Sequence, residues 1–114
     1  MSEYPYPTMD APLPLPSGTV VRTRNLVVLR GRNTTVLTVT IETPTPASDV
    51  ARVASEAHEV AVLHNDFATM QGASTINVAI CRTQACIELR EPTDEFFLFE
   101  RVAAGTWVGE KLQL

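Results

Sequence analysis

The chain has 114 residues and a formal net charge of −4, with 45% hydrophobic and 19% charged residues. This length and composition predict one globular domain and exclude a disordered chain. The acidic balance argues against a nucleic-acid partner, and no apolar run approaches the ~18–20 residues of a membrane span, so we also expect no membrane insertion.

The N-terminal segment differs in composition from the rest of the chain. Residues 1–18 contain prolines at positions 5, 7, 12, 14 and 16, and proline favours extended backbone over helix. We expect a proline-rich arm that is flexible or lies on a partner, followed by a single α+β domain over residues 19–114. The arm lacks the features of a secretory signal, which predicts a cytoplasmic protein if the sequence is full length. An exported protein is the alternative if a signal or anchor was removed.

The first domain segment is predicted to be a β-hairpin. Residues 26–29 are an apolar run of strand formers, and residues 19–24 extend it with a less regular pattern. Residues 31–33 are typical of a turn. Residues 34–42 then alternate, which predicts a half-buried strand whose inward side chains are Leu37, Val39 and Ile41.

The middle of the chain predicts one amphipathic helix over residues 47–70. Its apolar positions recur at helical spacing: Val50, Val53, Ala54, Ala57, Val60, Ala61, His64 and Ala68. The polar side is expected to carry Arg52, Ser55, Glu56, Glu59 and Asp66. Thr45 or Ser48 is a suitable N-cap, and Gly72 is a suitable stop.

The last third predicts four more strands, over residues 75–81, 85–90, 95–102 and 106–112. The element order is then ββ-α-ββββ. Dense hairpins favour an antiparallel pairing, so the predicted α+β fold is one helix packed on a curved antiparallel sheet.

The predicted hairpins place a group of aromatic residues on the sheet face opposite the helix. A loop at residues 82–85 would set Cys81 opposite Cys86, and the same parity places Trp107 opposite Arg101. The predicted interaction surface comprises Phe97, Phe99, Trp107, Arg101 and Arg90. Such a patch is typical of a partner surface. A curled sheet or the N-terminal arm would cover it, and a one-residue error in a turn would turn the aromatics into the core.

Two histidines and two cysteines are the other candidates for chemistry. His58 and His64 lie about 120° apart on the predicted helix and cannot share a metal ion. His64 faces the sheet, where it is either a hydrogen-bonded core residue or the polar group of a ligand pocket. Cys81 and Cys86 are either free thiols, a disulfide or a redox-sensing pair. No metal or cofactor site is predicted.

No nucleotide-binding or hydrolase motif is present. We therefore favour a non-enzymatic binding domain that forms a homodimer through the sheet face opposite the helix. One alternative is a small-ligand or enzymatic pocket between helix and sheet that uses His64. The other is an exported domain with a Cys81–Cys86 disulfide. The sequence does not identify a small-molecule ligand.

Overall fold

A computed structural model describes residues 11–88, 90, 91, 93 and 95–112. Within these residues, six strands form one mixed sheet whose spatial order follows the chain: β1 (Ala11–Pro14), β2 (Val20–Arg30), β3 (Thr35–Glu42), β4 (Thr75–Ile80), β5 (Phe96–Ala103) and β6 (Thr106–Lys111). The helices are α1 (Val50–Leu63), α2 (Asn65–Met70) and α3 (Gln84–Ile87). The predicted α+β class, with helices packed against one sheet, is confirmed.

The first predicted hairpin is confirmed as β2 and β3, which pair antiparallel. Gly31 N donates to Thr34 O at 2.7 Å across the turn. The irregular alternation of side chains at the start of β2 has a physical cause, because a bulge interrupts the register between Thr23 and Asn25. A bulge adds a residue to one strand and breaks the alternation of its side chains.

One pairing contradicts the predicted antiparallel sheet. β3 and β4 are parallel neighbours, with Val39 opposite Val78 and Ile41 opposite Ile80. The chain leaves β3, crosses one face of the sheet as α1 and α2, and returns in the same direction. A helical crossover of this kind joins parallel strands, whereas the prediction extended the antiparallel pairing of the hairpins to the whole sheet.

The predicted helix over 47–70 is divided into two. Asp49, rather than Thr45 or Ser48, is the N-cap of α1 and accepts a hydrogen bond from Arg52 N at 3.4 Å. The helical path breaks at His64, whose φ and ψ are −96° and 9°. Gly72 follows α2 with a φ of 74°, a conformation that favours glycine, and this predicted stop is correct.

The core lies between α1, α2 and one face of the sheet. The predicted inward side chains of β3 and β4 are fully buried there, and the small side chains of Ala57 and Ala61 let α1 approach the strands closely. Burial of each Leu, Ile or Val contributes about 1.5–3 kcal/mol. The buried strand side chains are Leu37, Val39, Ile41, Ile76, Val78 and Ile80.

The predicted N-terminal arm is only partly described. Residues 1–10 lie outside the described residues. Residues 11–14 form β1 and pair antiparallel with β2 of their own chain, and Leu15 enters the core. Leu13 and Leu15 therefore pack this part of the arm against its own domain.

The predicted strand over residues 85–90 is wrong. Gln84–Ile87 form α3, and Thr83 caps it by accepting a hydrogen bond from Cys86 N at 3.1 Å. The apparent alternation at Ile87 arises from a single helical turn, too short to show its own period. With this strand absent, β4 pairs directly with β5.

Candidate functional site

The predicted aromatic surface is not exposed. Phe97, Phe99 and Trp107 are each at most 2% exposed and belong to the core. Phe99 lies opposite Ile76 and Phe97 opposite Val78, so both rings share the helix-covered face. The prediction failed because it assigned the faces of Phe97 and Phe99 from a hairpin that does not exist. An error of one residue in the register moves every side chain of a strand to the other face of the sheet.

Trp107 instead joins the edge strand β6 to the helices. Its predicted position opposite Arg101 is confirmed, and the Arg101 guanidinium lies 4.8 Å from the centre of the indole ring. Trp107 Nε1 donates to Asn65 Oδ1 at 3.0 Å, and His58 Nε2 donates to the Trp107 carbonyl at 2.8 Å. Arg101 also donates to Thr69 Oγ1 at 2.8 Å, so these groups have a packing role.

Arg90 is also misplaced in the prediction. It lies in the turn after α3, where its Nε is 2.7 Å from Glu88 Oε2. Its predicted neighbours Phe97 and Phe99 are on the other face of the sheet. Arg90 therefore belongs to an exposed local ion pair rather than to an aromatic surface.

The sheet face opposite α1 and α2 has a different composition from the predicted one. We call it the outer face and define it by three rows of cross-strand neighbours on β2 to β6 and the residue after β6. The rows are Asn25, Thr40, Ala79, Phe96 and Leu112; Val27, Thr38, Asn77, Leu98 and Glu110; and Leu29, Val36, Thr75, Glu100 and Val108.

The outer face is poor in charge and rich in exposed apolar side chains. Of its fifteen positions, only Glu100 and Glu110 carry a charge. Leu29 and Val108 are each 57% exposed, at opposite sides of the face. The central strands contribute uncharged polar groups, and the Oδ1 of Asn77 is buried without a hydrogen-bond partner. A solvated sheet face ordinarily alternates polar, charged side chains with the buried ones.

One end of the outer face is partly covered. Thr40 and Ala79 are buried there, although they point away from α1 and α2. They line a groove of about 310 Å³, whose other lining residues are Asn25, Val27, Leu29, Thr38, Cys81, Cys86, Glu91, Thr93 and Phe96. The groove runs between β2 and the segment that carries α3.

Cys81 and Cys86 form a disulfide in the structure, with 5.5 Å between their Cα atoms. Cys81 directly follows β4 and lies on the same side of the sheet as Asn77 and Ala79. Cys86 lies on α3. The bond therefore ties α3 to the end of a strand, rather than closing a two-stranded hairpin. Both sulfur-bearing residues border the groove.

His64 is placed as a core residue rather than as an open ligand group. It is 7% exposed, and its Nδ1 lies 2.8 Å from the Val60 carbonyl. Burial lowers the pKa of His64 below its ordinary value, and the hydrogen bond to Val60 opposes this effect only in part. The residue lies at the break between α1 and α2, where it fills space against the core.

A buried carboxylate was missed by the sequence prediction, which put Glu56 on the polar side of the helix. Glu56 is 1% exposed and accepts hydrogen bonds from Thr43 Oγ1 at 2.6 Å and Thr45 Oγ1 at 2.5 Å. Arg52 Nε lies 3.5 Å from it. Burial alone would raise the pKa of Glu56, but the threonine hydroxyls and Arg52 outweigh this effect and lower the pKa.

This cluster fastens the connection between β3 and α1 to the helix. Its acceptors and donors are matched within the chain, which favours a stabilising role over a catalytic one. The spacing did contain a hint, because Glu56 lies three residues after Val53 and four before Val60, at the margin of the apolar stripe.

Within the described residues, no group of three or more His, Cys, Asp or Glu side chains is arranged to hold a metal ion. None of the helices in the described part of the chain has the length and hydropathy needed to cross a membrane. Comparison of the chain with protein-family models, curated proteins and solved structures gave no match.

Proposed function

We propose that this protein is a non-enzymatic interaction domain that self-associates through the outer face. The observation that carries the proposal is the near absence of charge from that face, combined with strong exposure of Leu29 and Val108. Val27 is exposed beside Leu29 on β2, and Leu112 is exposed on the same side of the face as Val108. Several exposed apolar side chains on one face mark a partner surface more often than a single one does. The buried polar groups at Glu56 and His64, by contrast, are bonded within the chain.

The favoured occupant of the outer face is a second copy of the chain. Two twisted sheets pack face to face at about 10 Å through uncharged side chains. The two charges on the outer face, Glu100 and Glu110, are both acidic and lie on β5 and β6. They disfavour nucleic acid and anionic membranes as partners.

The size of the face sets the expected strength of the contact. Five strand positions and three rows span about 24 Å by 20 Å, or roughly 480 Å² of projected area. A standard stable interface buries about 800 Å² per partner. We therefore expect a reversible dimer whose population rises with protein concentration, rather than a permanent one.

The test is sedimentation of the wild type and two lysine variants over a range of concentrations. Leu29→Lys places a charge on the outer face, and Leu63→Lys makes the same change on the solvent side of α1. The two positions are comparably exposed, at 57% and 46%, so neither variant should disturb the core. Far-UV circular dichroism and thermal melting check that both remain folded.

The proposal expects dimerisation in the wild type and Leu63→Lys, and a strong shift toward monomer in Leu29→Lys. A single buried lysine without a partner opposes such an interface. A monomer at all concentrations contradicts the proposal. So does a dimer that Leu29→Lys leaves intact, because association would then use another surface.

A further inference from the structure

The position of α3 connects the disulfide to the outer face. The helix has only four residues, and isolated helices shorter than about 12–15 residues are marginal in water. Its one buried residue is Cys86, at 6% exposure. The Cys86 side chain is held by its bond to Cys81, at the end of β4.

The backbone hydrogen bonds around α3 are local. Ile87 N donates to Thr83 O, Glu88 N to Gln84 O, and Arg90 N to Ala85 O. The polar side chains of the segment also bond one another, as Gln84 and Arg90 both contact Glu88. The disulfide is thus the principal described tie between α3 and the sheet.

Anchors on both sides of this segment do not depend on the disulfide. Arg82 forms an ion pair with Glu95, with Nε 2.5 Å from Oε2. Arg82 Nη1 also donates to the Thr45 carbonyl at 2.7 Å. Thr93 Oγ1 donates to the Ile80 carbonyl at 2.5 Å. Loss of the disulfide is therefore expected to release α3 while the sheet remains folded.

The segment that carries α3 lies at one end of the outer face, beside the groove, where a partner sheet stacked on that face would need to extend. Cys86 and Glu91 border the groove together with the buried Thr40 and Ala79. A helix with its side chains is about 10–12 Å thick, close to the 10 Å separation of two stacked sheets. A partner sheet stacked on the outer face would therefore meet α3 at the end of the face where Cys86 borders the groove.

We propose that reduction of the Cys81–Cys86 disulfide by a dithiol regulates self-association by releasing α3 and enlarging the outer face. One dithiol thiolate attacks a cystine sulfur, the S–S bond breaks, and the second thiol completes the exchange. The dithiol becomes a disulfide, and its two electrons and two protons pass to two cysteine thiols. This inference rests on the function proposed above. Reduction exposes the buried Thr40 and Ala79 to the partner.

The test compares the dimer dissociation constants of oxidised and dithiothreitol-reduced wild type by sedimentation. Leu29→Lys is measured in both states, and the double variant Cys81→Ser/Cys86→Ser with and without dithiothreitol. We expect reduction to lower the dissociation constant about tenfold, which corresponds to about 1.4 kcal/mol. The double variant should match the reduced wild type and should not respond to dithiothreitol. Hydrogen exchange should show faster exchange in residues 84–88 on reduction, with β3 and β4 still protected.

The outcomes separate the two proposals. If the oxidised protein dimerises through Leu29 but reduction leaves the dissociation constant unchanged or raises it, the redox inference is wrong and the proposed function stands. If reduction accelerates exchange in α3 and Leu29→Lys abolishes the tighter dimer, the inference is supported. If neither redox state dimerises, or if Leu29→Lys has no effect in either state, the proposed function itself fails.

Discussion

Replacement of the buried Glu56 by glutamine tests the account of the cluster between β3 and α1. The substitution keeps the shape of the side chain but removes its charge and one of its two acceptor oxygens. Thr43 and Thr45 donate to the two oxygens of the carboxylate at 2.6 and 2.5 Å. In Glu56→Gln, one hydroxyl must turn to accept from the new amide.

The expected loss of stability in Glu56→Gln follows from the burial of these hydrogen bonds. A hydrogen bond to a charged group contributes about 1.5–3 kcal/mol to stability, and a neutral one about 1 kcal/mol. The ion pair with Arg52 adds little, because that side chain is 58% exposed and water screens it. We therefore expect Glu56→Gln to lower the free energy of unfolding by about 2 kcal/mol at pH 7.

The pH dependence provides a second readout of the same variant. The folded-state pKa of Glu56 is lowered from an ordinary value of 4.5, so the unfolded chain takes up the proton first as pH falls. The carboxylate's contribution is complete above pH 4.5 and is lost as the pH falls through the lower, folded-state pKa. The stability difference between wild type and Glu56→Gln should therefore narrow below pH 4.5.

Chemical denaturation at several pH values measures this difference. Glu59→Gln is the matched control on the same helix, because Glu59 accepts bonds at 2.8 and 2.7 Å from Ser17 in an exposed setting. Its substitution should cost less than about 1 kcal/mol. Equal losses of stability in the two variants, or a loss in Glu56→Gln that does not change with pH, would show that the Glu56 carboxylate does not stabilise the cluster.

Two further predictions concern backbone crowding and the buried histidine. A Cβ at Gly109 would lie 1.8 Å from the Leu98 carbonyl oxygen, so Gly109→Ala should cost about 3 kcal/mol or more in thermal or chemical unfolding. Gly105→Ala should lower the free energy of unfolding by only about 1–2 kcal/mol, because its φ of 75° is strained for alanine but no atom lies within 4 Å of the added Cβ. A larger loss for Gly105→Ala than for Gly109→Ala would contradict the β5–β6 packing. Burial lowers the folded-state pKa of His64 from 6.5, so the wild type should lose stability as pH falls below 6.5, and His64→Leu should reduce that loss. An unchanged pH dependence in denaturant titrations would show that His64 is not the responsible group.

Strong local periodicity predicted much of the fold correctly. The alternation of Leu37, Val39 and Ile41 gave both the strand and its buried face, and helical spacing identified the stripe of α1. These patterns are reliable because each side chain must be either on the core face or away from it. The break at His64 was not predicted, because apolar spacing continues through it.

The errors arose where the outcome depends on distant contacts. A single turn of helix at Gln84–Ile87 resembles a short alternating strand, and its anchor to Cys81 was only one of three alternatives. Misassigning it shifted the predicted faces of Phe97 and Phe99 and hid the true outer face. The parallel pairing of β3 and β4 also depends on tertiary docking of the crossover, which leaves no direct pattern in either strand.

The most direct test of the proposed association surface is a nuclear magnetic resonance dilution series of the oxidised protein. As protein concentration rises, we expect signals of outer-face residues such as Val27, Thr38 and Leu98 to shift together along one binding curve. Signals on the exposed side of the helices, such as those of Leu63 and Met70, should stay fixed. Concentration-dependent shifts confined to the helices, or no shifts at all, would contradict association through the outer face.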